Sequence, residues 1–303
     1  MTLPRFRSFS RFLIEFARIQ ALCCLFPFAI IIVLALSRKF ATPGLPRYDL
    51  ILLCCIGIQL WMVASRLETL DELKVICVFH VLGLALELYK TRMGSWAYPE
   101  AAWTKFGGVP LYSGFMYASV ASYMCQAWRR LDLEMTEWPP ANSPGVVAVS
   151  TYLNFFTHHI LPDLRFGLAL LISLVFRRTG VRYAVGARVC SMPLVVTFVF
   201  IGFFIWVSEN LATRLGAWQY PHQALGWEPV HLQKIGSWSL LVIVSLIIVA
   251  QLKRVRSSLL NYVEGIASQG AEYESESLLR KKCDPNQELR QAEPAAQSTE
   301  GGQ

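Results

Sequence analysis

Charge is what this chain of 303 residues lacks most: only 16% of it is Asp, Glu, Lys or Arg, against about 25% in soluble domains. That scarcity excludes an ordinary water-facing globule. Paired cysteine motifs are missing too. Eight cysteines are present, but without a C-x-x-C pair or Cys/His ligand spacing, so neither a zinc ribbon nor a thioredoxin-like centre is written in the chain. Cys23, Cys24, Cys54, Cys55, Cys77, Cys125 and Cys190 lie in or beside apolar stretches and read as small buried hydrophobes, while Cys283 is a free thiol beside Arg280, Lys281 and Lys282. The chain also lacks a phosphate-binding loop, a flavin fingerprint and a nucleophile elbow, which argues against ATP coupling and serine-hydrolase chemistry of that type. A cleavable signal peptide is not expected, because the first apolar run follows Arg5, Arg7, Arg11 and Arg18 and is long enough to span a bilayer.

What the chain has is apolar length. Hydrophobic residues make up 54% and the mean hydropathy is +0.41, concentrated in long runs rather than amphipathic stripes. A span needs roughly 20 mostly apolar residues. Runs at about 17–37, 106–128, 191–212 and 235–252 meet that length, and those at 48–65 and 73–90 are bounded by charged clusters. Between 145 and 177 the chain is interrupted by Pro162, which disfavours helix at the residue before it and suits the first turn of a new one. A tight helical hairpin there gives eight spans; one kinked helix with an interfacial segment gives seven.

The expected architecture is an all-α integral membrane protein, a polytopic bundle of about eight transmembrane helices in two parallel four-helix repeats, about 17–128 and 145–253. A basic cytosolic segment, 1–16, precedes the membrane domain, 17–254, and a disordered acidic cytosolic tail, 265–303, follows it. Basic flanks favour the cytoplasmic side, which puts both termini and the loop carrying Arg177, Arg178, Arg182 and Arg188 inside, with the Arg38/Lys39/Arg47 loop as an exception. The net charge of +7 divides into +10 on the body and −3 on the tail, and the basic surplus suits lipid headgroups rather than nucleic acid. In the tail, Glu274-Ser-Glu-Ser-Leu-Leu279 has the form of an acidic dileucine sorting signal.

An internal repeat carries the strongest functional signal. Glu87-Leu-Tyr-Lys-Thr-Arg92-Met-Gly94-Ser-Trp96-Ala-Tyr98-Pro99 recurs 122 residues later as Glu209-Asn-Leu-Ala-Thr-Arg214-Leu-Gly216-Ala-Trp218-Gln-Tyr220-Pro221, with seven of thirteen positions identical. An ionised glutamate near the end of an apolar helix is costly, so each should face the bundle interior, pair with a base or be protonated. Arg92 and Arg214 are the expected partners, and a duplicated Glu–Arg clamp is the structural alternative to an active or binding site.

A second polar run, Asn154-Phe-Phe-Thr-His158-His159-Ile-Leu-Pro-Asp163-Leu-Arg165, places Asn154 and His158, and His159 and Asp163, four apart, a spacing that shares a helix face where the helix is continuous. Its bland reading is a polar helix end, with Asp163 at the next helix's N-terminus and paired with Arg165. In the eight-span topology Glu87, His158, His159, Asp163 and Glu209 emerge at one membrane face, and His80 lies seven residues before Glu87 on the same face of its helix. Acids, imidazoles and guanidiniums opening into a membrane cleft suit proton-transfer chemistry on an amphiphile. The His and carboxylate residues could also hold a metal, although their spacing fits no strong ligand motif.

The segments HVLGLALELYKTRMGSWAYPE, YLNFFTHHILPDLR and WVSENLATRLGAWQYPHQ together resemble the multi-pass membrane family catalogued as domain of unknown function 817, over about residues 15–255. The resemblance implies kinship of fold and supplies no activity. The Glu…Gly-x-Trp-x-Tyr pattern is more faintly similar to membrane-bound carotenoid cyclases and hydratases, which protonate isoprenoid double bonds; that likeness implies acid roles for Glu87 and Glu209.

Three function classes follow. One is a membrane enzyme acting by acid–base or metal-assisted chemistry on a lipid or isoprenoid, with Glu87, Glu209, His80, His158, His159 and Asp163 as catalytic candidates. Arg92, Trp96, Tyr98, Asn154, Arg165, Arg214, Trp218 and Tyr220 are then candidates for substrate binding or support. The others are a small-molecule transporter and a structural membrane protein. Polar motifs grouped at one face, with only His80 deeper, favour the enzyme over the transporter.

Overall fold

The opening apolar run does not fold as one straight helix. A computed structural model describes residues 3–40, 44–140, 142–157 and 161–250, with side chains from residue 9 onward. In it, helix α1 (Leu3–Cys23) breaks at Cys24 before α2 (Leu25–Lys39), and the two are bent by 64°. Pro27 has no N–H to offer the carbonyl of Cys23, and its ring crowds that carbonyl, so the helix cannot run straight through. The expected span at 17–37 is corrected to this broken pair. The acidic tail, its dileucine pattern and Cys283, together with His158 and His159, lie outside the described residues.

Helix α3 (Arg47–Ala64) follows Pro46, which fixes its entry, and α4 (Leu70–Arg92) starts from a capping box. There the Glu72 N–H donates to Thr69 Oγ1 at 3.2 Å and the Thr69 N–H donates to the Glu72 carboxylate at 2.8 Å, satisfying two otherwise orphaned donors. The expected span at 106–128 begins later than the hydropathy suggests. Strands β1 (Lys105–Phe106) and β2 (Val109–Pro110) form a hairpin, and α5 (Ser113–Arg130) starts only after it. Gly107 and Gly108 both have positive φ, +55° and +85°, the backbone a two-residue hairpin turn demands.

At Pro162 the chain breaks into α6 (Asn142–Thr157) and α7 (Arg165–Val175). The arginine-rich segment expected as a loop is a second hairpin, β4 (Gly180–Val185) and β5 (Arg188–Pro193), joined by β3 (Glu134–Thr136) in a three-stranded antiparallel sheet. The fold is therefore mostly helical rather than strictly all-α. Helix α8 (Leu194–Arg214) matches the expected span closely, and α9 (Lys234–Ala250) ends the described chain.

Among the described residues two helices are long and apolar enough to cross a membrane, α3 with mean hydropathy 1.5 and α8 with 1.9, and the bent α1–α2 pair adds a third if it is one span. Helices α2, α6 and α7 fall short in length at 15, 16 and 11 residues. Large apolar side chains nevertheless face outward, among them Phe166 at 80%, Leu170 at 63% and Phe204 at 64% exposed. The buried apolar residues fall mainly into one cluster built on Phe26, Ile30, Tyr48, Ile51, Phe79 and Tyr112 and another built on Val147, Leu168, Ile172, Leu194, Phe198 and Ile243, and each also takes residues from the other half, Ala212, Ala217 and Val249 in the first and Met124 in the second.

Candidate functional site

The two copies of the repeated motif end their helices in the same way. Gly94 and Gly216 lie in the left-handed region at φ +71° and +72°. After α4, the Gly94 N–H donates to Thr91 O at 3.1 Å and the Ser95 N–H reaches back to Lys90 O at 3.0 Å; after α8, the Gly216 N–H donates to Thr213 O at 2.9 Å and the Ala217 N–H to Ala212 O at 3.0 Å. A residue with a side chain would be strained at either glycine, and the bonds satisfy the last carbonyls of each helix.

The reversed chains then meet. Ala97 and Gln219, the same position in the two copies, form an antiparallel bridge with both backbone hydrogen bonds at 2.9 Å. A position paired with its own counterpart is the signature of a local two-fold relationship, as at a symmetric dimer contact.

Beneath the paired loops lie the two glutamates, 5% and 3% exposed. Glu87 Oε2 accepts from the Trp96 indole N–H at 2.6 Å and the Tyr98 hydroxyl at 2.7 Å, while Oε1 accepts from the Tyr117 hydroxyl at 2.8 Å. Glu209 accepts from the Tyr220 hydroxyl on Oε1 and from the Trp238 indole N–H on Oε2. Tyr98 and Tyr220 each stand 11 residues after their glutamate; Tyr117 on α5 and Trp238 on α9 stand 30 and 29 after. Each carboxylate is thus held by a tyrosine from its own motif and an aromatic donor from the following helix. Burial, and then the neighbouring glutamate, raise the Tyr98 and Tyr220 phenols well above 10, so both remain protonated donors.

The Glu–Arg clamps do not form. Arg92 and Arg214 are exposed, and among the described residues no ion pair includes Glu87 or Glu209. At about 100° per residue, a side chain five positions on points roughly 140° away around the helix, so each arginine leaves the face its glutamate occupies. Arg214 lies over the Trp227 ring at 5.2 Å. The clamping cation is Arg47, which bonds Glu100 at 2.6 Å and the carbonyls of Leu215 at 2.6 Å and Gly216 at 3.1 Å. A cation there complements the unpaired carbonyls and negative dipole end of α8. Asp49, two residues on, accepts the Trp103 N–H at 2.7 Å and the Thr104 N–H at 2.9 Å, so the first turn of α3 is tied to both repeats.

The second polar run is a satisfied helix junction in its described part. Arg165 pairs with Asp163 at 2.6 Å, the Leu164 N–H donates to Asn154 Oδ1 at 3.1 Å, and the Asn154 amide reaches Asp163 at 3.4 Å. Burial opposes the charge on Asp163, but the hydrogen bonds from Arg165 outweigh it and hold the carboxyl below its usual range. Lys90 lies within electrostatic reach of Lys234, Arg165 and Asp163, and Lys234 within reach of Arg165, which connects this junction to the paired loops. Lys234 stands over the rings of Trp96 at 5.4 Å and Tyr220 at 4.8 Å. His80 packs edge-on against Phe115 at 4.6 Å, its buried Nδ1 without a hydrogen-bond partner among the described residues. Trp218 packs against the first core cluster.

Among the described residues no three His, Cys, Asp or Glu side chains gather as metal ligands. The structure brings Glu87, Trp96, Tyr98, Glu209 and Tyr220 together and leaves Arg92 and Arg214 outside. Tyr117, Trp238, Lys234, Arg47 and Asp49 are additions. Carrying the 122-residue offset past the thirteen-residue motif aligns Gly114 with Gly236, a signal that would have directed attention to the starts of α5 and α9.

Residues 12–246 match the family model described as "Protein of unknown function (DUF817)". A Bacillus subtilis (strain 168) protein named "Uncharacterized protein YoaT" is 55% identical over 244 residues, covering 80% of this chain and 92% of its own length. No solved structure matches.

Proposed function

The chain belongs to the DUF817 family, and from that premise we propose that it is a multi-pass membrane enzyme whose two buried glutamates form one acid–base centre acting on a lipid or isoprenoid. Its membrane body, 17–254, is read as two parallel halves, α2–α5 and α6–α9, with both termini and the acidic tail cytosolic. The outward-facing apolar side chains support a membrane setting, since lipid accepts such surface and water does not, and the repeated motif supports the two halves.

The observation that carries the chemical reading is the pairing of the motif loops at Ala97 and Gln219 over carboxylates whose hydrogen bonds, among the described residues, come from neutral phenol and indole donors. A carboxylate locked to a guanidinium keeps its charge, whereas one bounded by neutral donors can take up and give back a proton. In the forward step the carboxyl O–H bond breaks and a C–H bond forms on an electron-rich double bond. The positive charge left on the substrate is then met by the carboxylate and by the aromatic faces around it.

The same hydrogen bonds also suit a purely structural role, because each glutamate is well satisfied. Glu87→Gln and Glu209→Gln separate the two readings, since they keep shape and hydrogen-bonding capacity but remove the exchangeable acid. In lipid extracts from a deletion strain complemented with folded mutants, the acid–base reading expects one lipid or isoprenoid species to be lost in both. A wild-type profile in both leaves the structural role.

A further inference from the structure

Lys90 near the end of α4, Arg165 at the start of α7 and Lys234 at the start of α9 lie within electrostatic reach of one another. We propose that Lys234, Arg165 and Lys90 form a binding site for an anionic, phosphate-type headgroup. Lys234 carries the argument. Its ammonium rests on the faces of Trp96 and Tyr220 and makes no hydrogen bond to any other described residue, so a partly exposed cation holds its N–H donors ready without an acceptor. Aromatic faces stabilise a cation while leaving those donors available.

The surroundings suit an anion. Arg165 spends its Nε on Asp163, and its side chain is 27% exposed, which leaves the outer edge of a planar guanidinium for the bidentate geometry phosphate prefers. Lys90, 4% exposed, lies within electrostatic reach of both Arg165 and Lys234. Arg165 and Lys234 are also the first residues of α7 and α9, so the positive ends of two helices add to the field. Glu209 sits deeper with both oxygens engaged by Tyr220 and Trp238, and Glu87 is likewise occupied. A headgroup held here would lay its chain along the apolar outside of the bundle.

This site deepens the proposed function by naming the headgroup of its amphiphile. The test uses the purified full chain in detergent, with dioctanoyl phosphatidic acid as probe, dioctanoyl phosphatidylcholine as the zwitterionic comparison and inorganic phosphate as competitor. Native mass spectrometry or equilibrium titration should give at least about tenfold tighter binding of phosphatidic acid than of phosphatidylcholine. Lys234→Gln should weaken phosphatidic acid by about fivefold or more, and Lys234→Arg should stay within about twofold of wild type. Lys74→Gln, at a side chain 78% exposed and ion-paired on another helix turn, should change nothing. Arg165→Gln gives the same reading if Lys234→Gln does not fold. Competition by inorganic phosphate would assign the site to a free anion and its absence to a lipid headgroup; either upholds the anion site. Unchanged binding in folded Lys234→Gln, or equal binding of the two lipids, overturns it. Glu87→Gln should still bind phosphatidic acid, so loss of conversion with intact binding counts against neither proposal, whereas Lys234-dependent binding by a wild-type protein that converts nothing overturns the acid–base reading alone.

Discussion

Ala97 and Gln219, 122 residues apart in the chain, are bonded to each other through both backbone amides at 2.9 Å. The bridge turns a sequence repeat into a physical pair, since it holds the two motif loops face to face above Glu87 and Glu209. The consequences below follow from that arrangement.

The tyrosines of the two motifs should be equivalent. Tyr98→Phe and Tyr220→Phe each remove one hydroxyl donor from a buried carboxyl, a loss of about 1.5–3 kcal/mol for hydrogen bonds to charged groups. Thermal unfolding in detergent should show similar destabilisation for both. Trp96→Phe should cost more than Trp218→Phe, because Trp96 donates directly to Glu87, whereas Trp218 packs against the first core cluster and interacts with Tyr220 rather than with a glutamate. The reverse order would mean that Trp218, not Trp96, holds a glutamate.

Arg47 should matter more than either arginine of the repeat. Arg47→Ala removes the Glu100 pair and two carbonyl contacts at the end of α8, a change expected to cost about 1–3 kcal/mol. Arg92→Ala, at an exposed side chain, should stay within about 0.5 kcal/mol of wild type. A larger effect at Arg92 would restore the Glu–Arg clamp.

Acid should weaken the α6–α7 junction through Asp163. Its folded carboxyl is held below its unfolded value, so its contribution is fully present above about pH 4 and disappears as pH falls through the folded value. The unfolding midpoint of wild type should therefore drop more steeply below about pH 4 than that of Asp163→Asn. Parallel curves would show that the Arg165 pair is screened by solvent.

Topology should follow the pairing of the loops. Cysteines introduced at Ala101 and Leu225 should label from one side of the membrane and a cysteine at Ala187 from the other, against a background with the native thiols removed. Opposite labelling of Ala101 and Leu225 would contradict two parallel halves.

Much of the backbone was legible in the letters, and the reasons differ by element. Helix α8 was readable because Phe198 to Val207 carries no charged or hydroxyl side chain, and the break before Asp163 because proline forces it. The hairpin at β4–β5 was missed although Val181, Tyr183 and Val185 alternate with Arg182 and Ala184; its charges suggested a loop between spans. The late start of α5 was hidden by apolar residues that belong to a glycine turn. In the site, the glutamates and their tyrosines were found through the repeat. Their other partners were not, because attraction between opposite charges suggested Arg92 and Arg214, while helical geometry turns those side chains away and brings Tyr117 and Trp238 in from helices beyond the motif.

The most direct test of the acid–base centre is deuterium uptake. Purified protein reconstituted with host lipid extract and incubated in D2O should place deuterium on carbon in one lipid or isoprenoid species, because protonation and deprotonation of a double bond exchange solvent hydrogen into it. Glu87→Gln and Glu209→Gln should each slow that uptake by about 10²–10⁴-fold while remaining folded. Carbon-bound deuterium appearing at the wild-type rate in both mutants, or in no species with wild type, would contradict the account.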